Sequence, residues 1–187
     1  SIETASKVWN ACGLHIGALV TDNPDFHARA VAENTAGLCS NILGQWIFAA
    51  LGQQTHEQLQ KWFTRQREYY RAMLEDFTTK TRELLPDAVV SSPDASIYSV
   101  VEVKDMVKPG FDAMDFVLYC ASEGAVEHEG KTWTLLTAPM TGFYNVAPGE
   151  ENPGRTQMRV AYVETPDKMK HVPYLLAELL KRFEAQR

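Results

Sequence analysis

Lys7 is the residue of this sequence best placed for nucleophilic chemistry. Its neighbours in "TASKVWNACGLHIG" are Ala5, Ser6, Val8 and Trp9, and the only nearby charge is Glu3. An ammonium among apolar groups loses solvation, so its pKa falls and a neutral amine becomes available to attack a carbonyl and form a Schiff base. The competing reading is the common one, a solvated surface lysine. Thr4 and Ser6 bring hydroxyls close to the amine. Gly13 and Gly17 stand on either side of His15; they either let backbone approach a ligand or a neighbouring chain, or form a tight bend between strands.

A second chemical feature lies far along the chain. Arg159 interrupts the apolar run of "QMRVAYVET". As an edge-strand residue it would simply point to water. A charge inside an apolar strand otherwise needs a partner, and guanidinium is the side chain best shaped to grip a carboxylate with two parallel hydrogen bonds. Between them, "APMTGFYNVAPGEENPG" (residues 138–154) reads as a long loop. Loops of this kind often carry function, and Phe143 or Tyr144 would either line a pocket or pack the loop down. His27, His56, His128 and His171 show no metal-ligand spacing and read as exposed polar residues, so no metal site is expected. "VEHEGK" reads as a charged turn between strands.

The composition bounds what these residues can serve. The chain has 187 residues, 45% apolar and 22% charged, which suits one globular domain or two small ones. A net charge of −6 without a basic, aromatic-interleaved cluster argues against a nucleic-acid partner. No apolar run reaches membrane-spanning length. Cys12, Cys39 and Cys120 are odd in number, widely spaced and outside any CxxC, so a reducing compartment without a disulfide framework is expected.

The elements that must position Lys7 and Arg159 can be read in outline. "IGALVT" (16–21) predicts a buried strand, and "DNPD" after it a turn and a helix start. Helical spacing continues from Asp25 to about Ala50, with Gly37 and Gly44 marking a break between two helices. Thr55 and Gln58 form a capping-box start. The stripe Leu59, Trp62, Phe63, Tyr70, Met73, Phe77 and Leu84 then defines a long helix that Pro86 ends. "ASIYSVVEV" (95–103), "TWTLLTA" (132–138) and "MRVAYVE" (158–164) predict strands. Asp112 caps a helix through Ser122, closed by Gly124. Thr165 and Pro166 open a last helical region, which Pro173 restarts and whose apolar face is Leu175, Leu176, Leu179, Leu180 and Phe183. Strand, helix, strand, strand, helix predicts a compact α/β sandwich with helices on the sheet.

The opening stretch resembles the lysine signature of the fold-type I, class I/II aminotransferases that use pyridoxal phosphate, of the aspartate-aminotransferase-like kind. That signature runs Ser, any residue, Ser, Lys, five residues, Gly, any residue, Arg, any residue, Gly. Thr4 stands at the first serine, Ser6 at the second, Lys7 at the lysine, and Gly13 and Gly17 at the glycines; His15 stands where the family has arginine. The resemblance implies that Lys7 carries the cofactor as a Schiff base and shuttles a proton at the substrate's Cα. It implies that Thr4, Ser6 and His15 contact the cofactor and its phosphate. Imidazole is a poorer phosphate fork than guanidinium, so His15 either answers the phosphate as a cation or hydrogen-bonds backbone instead. Arg159 matches the late-strand arginine that binds the substrate's α-carboxylate.

Extended to the whole chain, the resemblance implies the C-terminal part of the α/β pyridoxal-phosphate-dependent transferase fold. Residues 1–75 would be the remnant of the large cofactor-binding domain, joined by the long connecting helix to a small α/β sandwich domain at 76–187. It implies amino transfer between an amino acid, of the aspartate type, and a 2-oxo acid, in a cytoplasmic homodimer. The family's N-terminal half supplies further cofactor contacts that have no counterpart here, so the expectation is a fragment, inactive alone. A carbon–sulfur β-lyase on the same scaffold, or a non-catalytic domain, are the alternatives.

Overall fold

A computed structural model describes residues 1–37, 41–92 and 94–187; Cys39 lies outside them. The chain divides into two compact units, residues 1–63 and 64–187.

In the first unit, β1 (Ile2–Thr4) pairs antiparallel with β2 (Gly17–Leu19), Thr4 opposite Gly17. A Cβ on Gly17 would sit 2.5 Å from the Glu3 carbonyl oxygen, so that glycine serves the close approach of two strands. Gly13, by contrast, faces open space. The strand expected to be buried is exposed along its length, and among the described residues its one ladder partner is β1. Between the two strands lies one helical turn, α1 (Ala5–Val8), followed by α2 (Pro24–Ala36) and α3 (Ile42–Ala49). Asn23 and Asn41 cap the last two through their side-chain oxygens, which accept from Phe26 N–H at 2.9 Å and Gly44 N–H at 3.0 Å. Gly37 closes α2, whereas Gly44 lies inside α3 rather than at a break. Any Cβ on Gly44 would collide with the Leu14 carbonyl, so the position tolerates a poor helix former for the sake of packing. The unit is held by an aromatic group centred on Trp9, with Phe63 at 4.8 Å, Phe48 at 5.4 Å and Trp62 at 5.9 Å between ring centroids.

The division between units falls within α4 (His56–Leu84). Its capping box forms as expected: Thr55 N–H donates to Gln58 Oε1 at 2.7 Å and Gln58 N–H to Thr55 Oγ1 at 3.3 Å. The buried stripe of its second half runs through Met73, Phe77, Thr81 and on to Leu85, not Leu84, which is exposed. Steps of four residues from Phe77 reach Leu85; Leu84 falls about 100° away around the helix.

In the second unit a four-stranded antiparallel sheet has the order β3 (Val89–Val90), β4 (Tyr98–Glu102), β8 (Gln157–Ala161), β7 (Ala138–Pro139). The chain enters α5 (Ala113–Ser122) after β4, with Asp112 Oδ1 accepting from Met114 N–H at 2.8 Å. Then β5 (Val126–His128) and β6 (Lys131–Trp133) form a separate hairpin. The single strand expected over 132–138 is thus two, because the segment leaves the hairpin at Trp133 and joins the main sheet at Ala138. α6 (Pro166–Met169) and α7 (Val172–Gln186) close the chain, with Pro173 in the first turn of α7. The core gathers Phe77 from α4, Val101 from β4, Phe116 from α5, Met158 and Val160 from β8, and Leu176, Leu179 and Phe183 from α7, all under 10% exposed. Alternation places Ser99 and Val101, with Met158 and Val160, on the buried face. Just beyond β8, Tyr162 is fully buried, its hydroxyl 2.9 Å from Ser99 Oγ.

Candidate functional site

Two sets of chemistry-bearing residues stand out, one in each unit. In the first, α1 is a single turn whose N-cap is Thr4. Thr4 Oγ1 accepts from the Ser6 N–H at 3.2 Å, and the Thr4 and Ser6 hydroxyls are 3.1 Å apart. Beside this turn lies a cavity of about 470 Å³ lined by Thr4, Trp9, His15, Gly17, Gln45 and Phe48 among others, a size ordinary for small-molecule sites. Thr4 and His15 are its hydroxyl- and imidazole-bearing residues, and Glu3 is the one acidic residue of its wall. His15 takes a left-handed backbone, φ 48°, after a single 3₁₀ turn, Cys12–Leu14.

Lys7 is exposed, which corrects the expectation that its apolar neighbours bury it. The reason is helical phase. Ala5 and Trp9 are four residues apart and share a face, Ala5 buried and Trp9 in its aromatic group; Lys7 lies about 200° from Ala5. Ser6 is half-buried, and neither Ser6 nor Lys7 lines the cavity.

In the second unit, Arg159 sits at the middle of β8, opposite Val100 on β4 and Ala138 on β7. β8 is an inner strand, which rules out the edge-strand alternative. Arg159 belongs to the sheet face away from the core. Its guanidinium carbon lies 4.4 Å from the Tyr98 ring centroid and 4.8 Å from that of Phe143. Two aromatic faces hold the cation by its π surfaces and leave its N–H edge for a ligand. Arg159 Nε is buried and has no hydrogen-bond partner among the described residues. An orphaned charged donor in a native fold is costly unless something completes it, and a carboxylate is the complementary group. Of the loop aromatics, Phe143 flanks the arginine, whereas Tyr144 donates its hydroxyl to Gln157 Oε1 at 2.5 Å and ties the loop down. Tyr98 escaped the sequence reading; its signal was an aromatic residue at the start of the strand that pairs with the arginine's own.

Two of the four histidines expected to be exposed are not, while His27 and His56 are exposed. His171 is 7% exposed and His128 half-buried, with His128 Nε2 3.2 Å from His171 Nδ1. They are not scattered surface residues, because the β5–β6 hairpin brings His128 against the start of α7.

No family model matches the sequence, and no curated protein matches it. Solved structures do match. The α-aminoadipate aminotransferase LysN of Thermus thermophilus, solved with N-(5′-phosphopyridoxyl)-L-leucine, superposes with a TM-score of 0.71 at 17% identity, over 95% of this chain and 40% of its own. A kynurenine aminotransferase of Pyrococcus horikoshii, solved with PMP, gives 0.68 at 20% identity, over 97% and 40%. This is a partial PLP-dependent transferase fold. Bna3p, a kynurenine aminotransferase candidate of Saccharomyces cerevisiae, gives 0.71 at 17% identity, over 96% of this chain and 42% of its own. The chain spans about 40% of the length of the structures it matches, and at these identities the likeness establishes the fold. Among the described residues, no helix is long and apolar enough to cross a membrane.

Proposed function

We propose that this chain supplies the cofactor-anchoring lysine and the carboxylate-binding arginine of a pyridoxal-phosphate-dependent aminotransferase, as the C-terminal portion of that enzyme. The observation that carries the reading is the spacing of Thr4, Ser6, Lys7, Gly13 and Gly17 on a chain with the fold of such aminotransferases. The residues present suit the cofactor's anionic end. Thr4 and His15 line one cavity, and a hydroxyl and an imidazole both donate well to phosphate oxygens. Lys7 stands on the adjoining turn as the covalent anchor, and Ser6 braces the Thr4 hydroxyl.

When bound, pyridoxal phosphate supplies an electron sink for charge developing at the substrate's Cα. Lys7 Nζ, as the neutral amine, is the base that would take the Cα proton and return it to the carbonyl-derived carbon of the cofactor. Arg159, held between Tyr98 and Phe143, grips the α-carboxylate and so orients the Cα–H bond. The reaction on this reading is amino transfer between an amino acid, with an aspartate-type donor as first candidate, and a 2-oxo acid. Ile42, Leu43, Trp46 and Ile47 of α3 are each more than 60% exposed; such an apolar face supports cover by the remainder of a large domain or a second copy in a homodimer.

The test is chemical. The protein carrying this chain is incubated with pyridoxal phosphate, reduced with borohydride and digested. The expected result is a pyridoxyl mass on the peptide containing Lys7, abolished by Lys7→Ala. A label on another lysine, or none, overturns the proposal.

A further inference from the structure

We propose that His128, Glu129 and His171 form a binding site for one divalent transition-metal ion of the zinc type, in the second unit and independent of the aminotransferase reading. Ligand atoms of the three residues lie within 4.8 Å of one another. The separate distances bear on what would fit. His128 Nε2 and His171 Nδ1 are 3.2 Å apart; two nitrogens bound to a tetrahedral zinc ion at its usual bond lengths stand about 3.3 Å apart. Glu129 Oε1 is 3.9 Å from His128 Nε2, and Glu129 Oε2 is 3.8 Å from His171 Nε2. The 3.8 Å contact is to the other ring nitrogen of His171, so the Glu129 side chain, 63% exposed, must swing toward the His128 Nε2–His171 Nδ1 pair to complete the set.

The imidazoles are held where a metal site needs them. The His128 ring stacks on Tyr174 at 4.3 Å, and the His171 ring lies 5.1 Å from that of Trp133. Trp133 Nε1 donates to the His128 carbonyl at 3.1 Å, locking the hairpin strand that carries His128. Glu129 and Gly130, at φ 50° and 71°, form the two-residue turn of that hairpin. Among the described residues, the contact at hydrogen-bond distance for the His128 and His171 rings is the one between their own nitrogens. Two neutral imidazoles so placed can share one proton, and a cation accepting both lone pairs replaces that single bond with two. Two imidazoles and one carboxylate favour zinc over magnesium or calcium, which prefer all-oxygen sets. Three protein ligands leave the fourth position for water. The ion would pin the β5–β6 turn to the start of α7.

The experiment titrates the protein with ZnCl₂ by calorimetry and repeats it with Co²⁺, whose visible absorption reports tetrahedral coordination. One equivalent should bind, with a tetrahedral cobalt spectrum. Glu129→Gln, at an exposed turn, should lower affinity roughly tenfold or more, and His128→Ala should abolish the spectrum. His171 is buried, so the test rests on the Glu129 and His128 variants, whose folding circular dichroism checks. Absence of stoichiometric binding, or binding that survives both Glu129→Gln and His128→Ala in folded protein, overturns the proposal, since His15, His27, His56 and Cys12 are exposed alternatives.

Discussion

In residues 64–187, Phe77, Val101, Phe116, Met158, Leu176 and Leu179 are each at most 1% exposed. In residues 1–63, Trp46 is 74% exposed and Leu43 73%, and among the described residues Ala5 is the one buried apolar side chain. The second unit has an alternating sheet and three helices that cover its apolar side. The first has a two-stranded ladder, short helices and an aromatic group around Trp9, and among the described residues the outer face of α3 stays exposed. Burial is the main favourable term in folding, so the second unit carries its own stability while the first depends on whatever covers its apolar face. The residues proposed for the cofactor lie in the weaker unit and the arginine proposed for the substrate in the stronger.

The largest expected effect tests that contrast directly. Phe77→Ala removes a fully buried ring and should cost about 3–5 kcal/mol of the second unit's stability. Trp46→Ala removes a larger ring from an exposed position and should change stability by no more than about 0.5 kcal/mol. Denaturant unfolding, with hydrogen exchange to locate the change, checks both. Equal losses would show that the first unit has a core of its own and break the comparison.

What the sequence disclosed follows the same division between local and distant causes. The Thr55–Gln58 capping box, the Asp112 cap, the stop before Pro86 and the first-turn Pro173 depend on residues within a few positions of each other, so their chemistry can be read in place. The Leu175–Phe183 face of α7 was legible because its period is set by the helix alone. Gly44 was misread as a break because its reason is the Leu14 carbonyl, thirty residues earlier in the chain. The 132–138 stretch was misread as one strand because its two ends pair with different partners. Arg159 was legible as a candidate, but its inner register and its seat between Tyr98 and Phe143 come from strand pairing. His128 and His171 looked unremarkable because nothing near either one announces the other. Lys7 was wrongly buried: the apolar neighbours are real, but helical phase turns them away from it.

A smaller effect sharpens the account of the second unit. Ser99 Oγ and Tyr162 OH are both in the core, 2.9 Å apart. Tyr162→Phe leaves the serine hydroxyl unpaired and should cost about 1–3 kcal/mol. Adding Ser99→Ala removes the orphan, so the double variant should be less destabilised than the sum of the two singles. A purely additive cycle would mean that the two hydroxyls are not coupled.

The smallest effect, at moderately alkaline pH, separates the units by titration. Burial pushes the Cys120 thiol up to about 12 from its ordinary 9. Burial also raises Tyr162 to about 12 from 10, against the opposing pull of its Ser99 hydrogen bond. Both groups are neutral when protonated, so above their ordinary values the unfolded chain loses protons that the folded chain keeps. Stability is then whole below about pH 9 and falls as pH rises toward 12, by at most about 1.4 kcal/mol per pH unit for each group. At pH 10 the thiol dominates and the loss should be about 1.4 kcal/mol. Denaturant midpoints of the second unit between pH 8 and 10 measure it, and Cys120→Ala should flatten most of that slope. A slope that survives Cys120→Ala would place the titrating group elsewhere, and no slope at all would mean that the thiol is solvated in the folded state and the core around α5 looser than its burial implies.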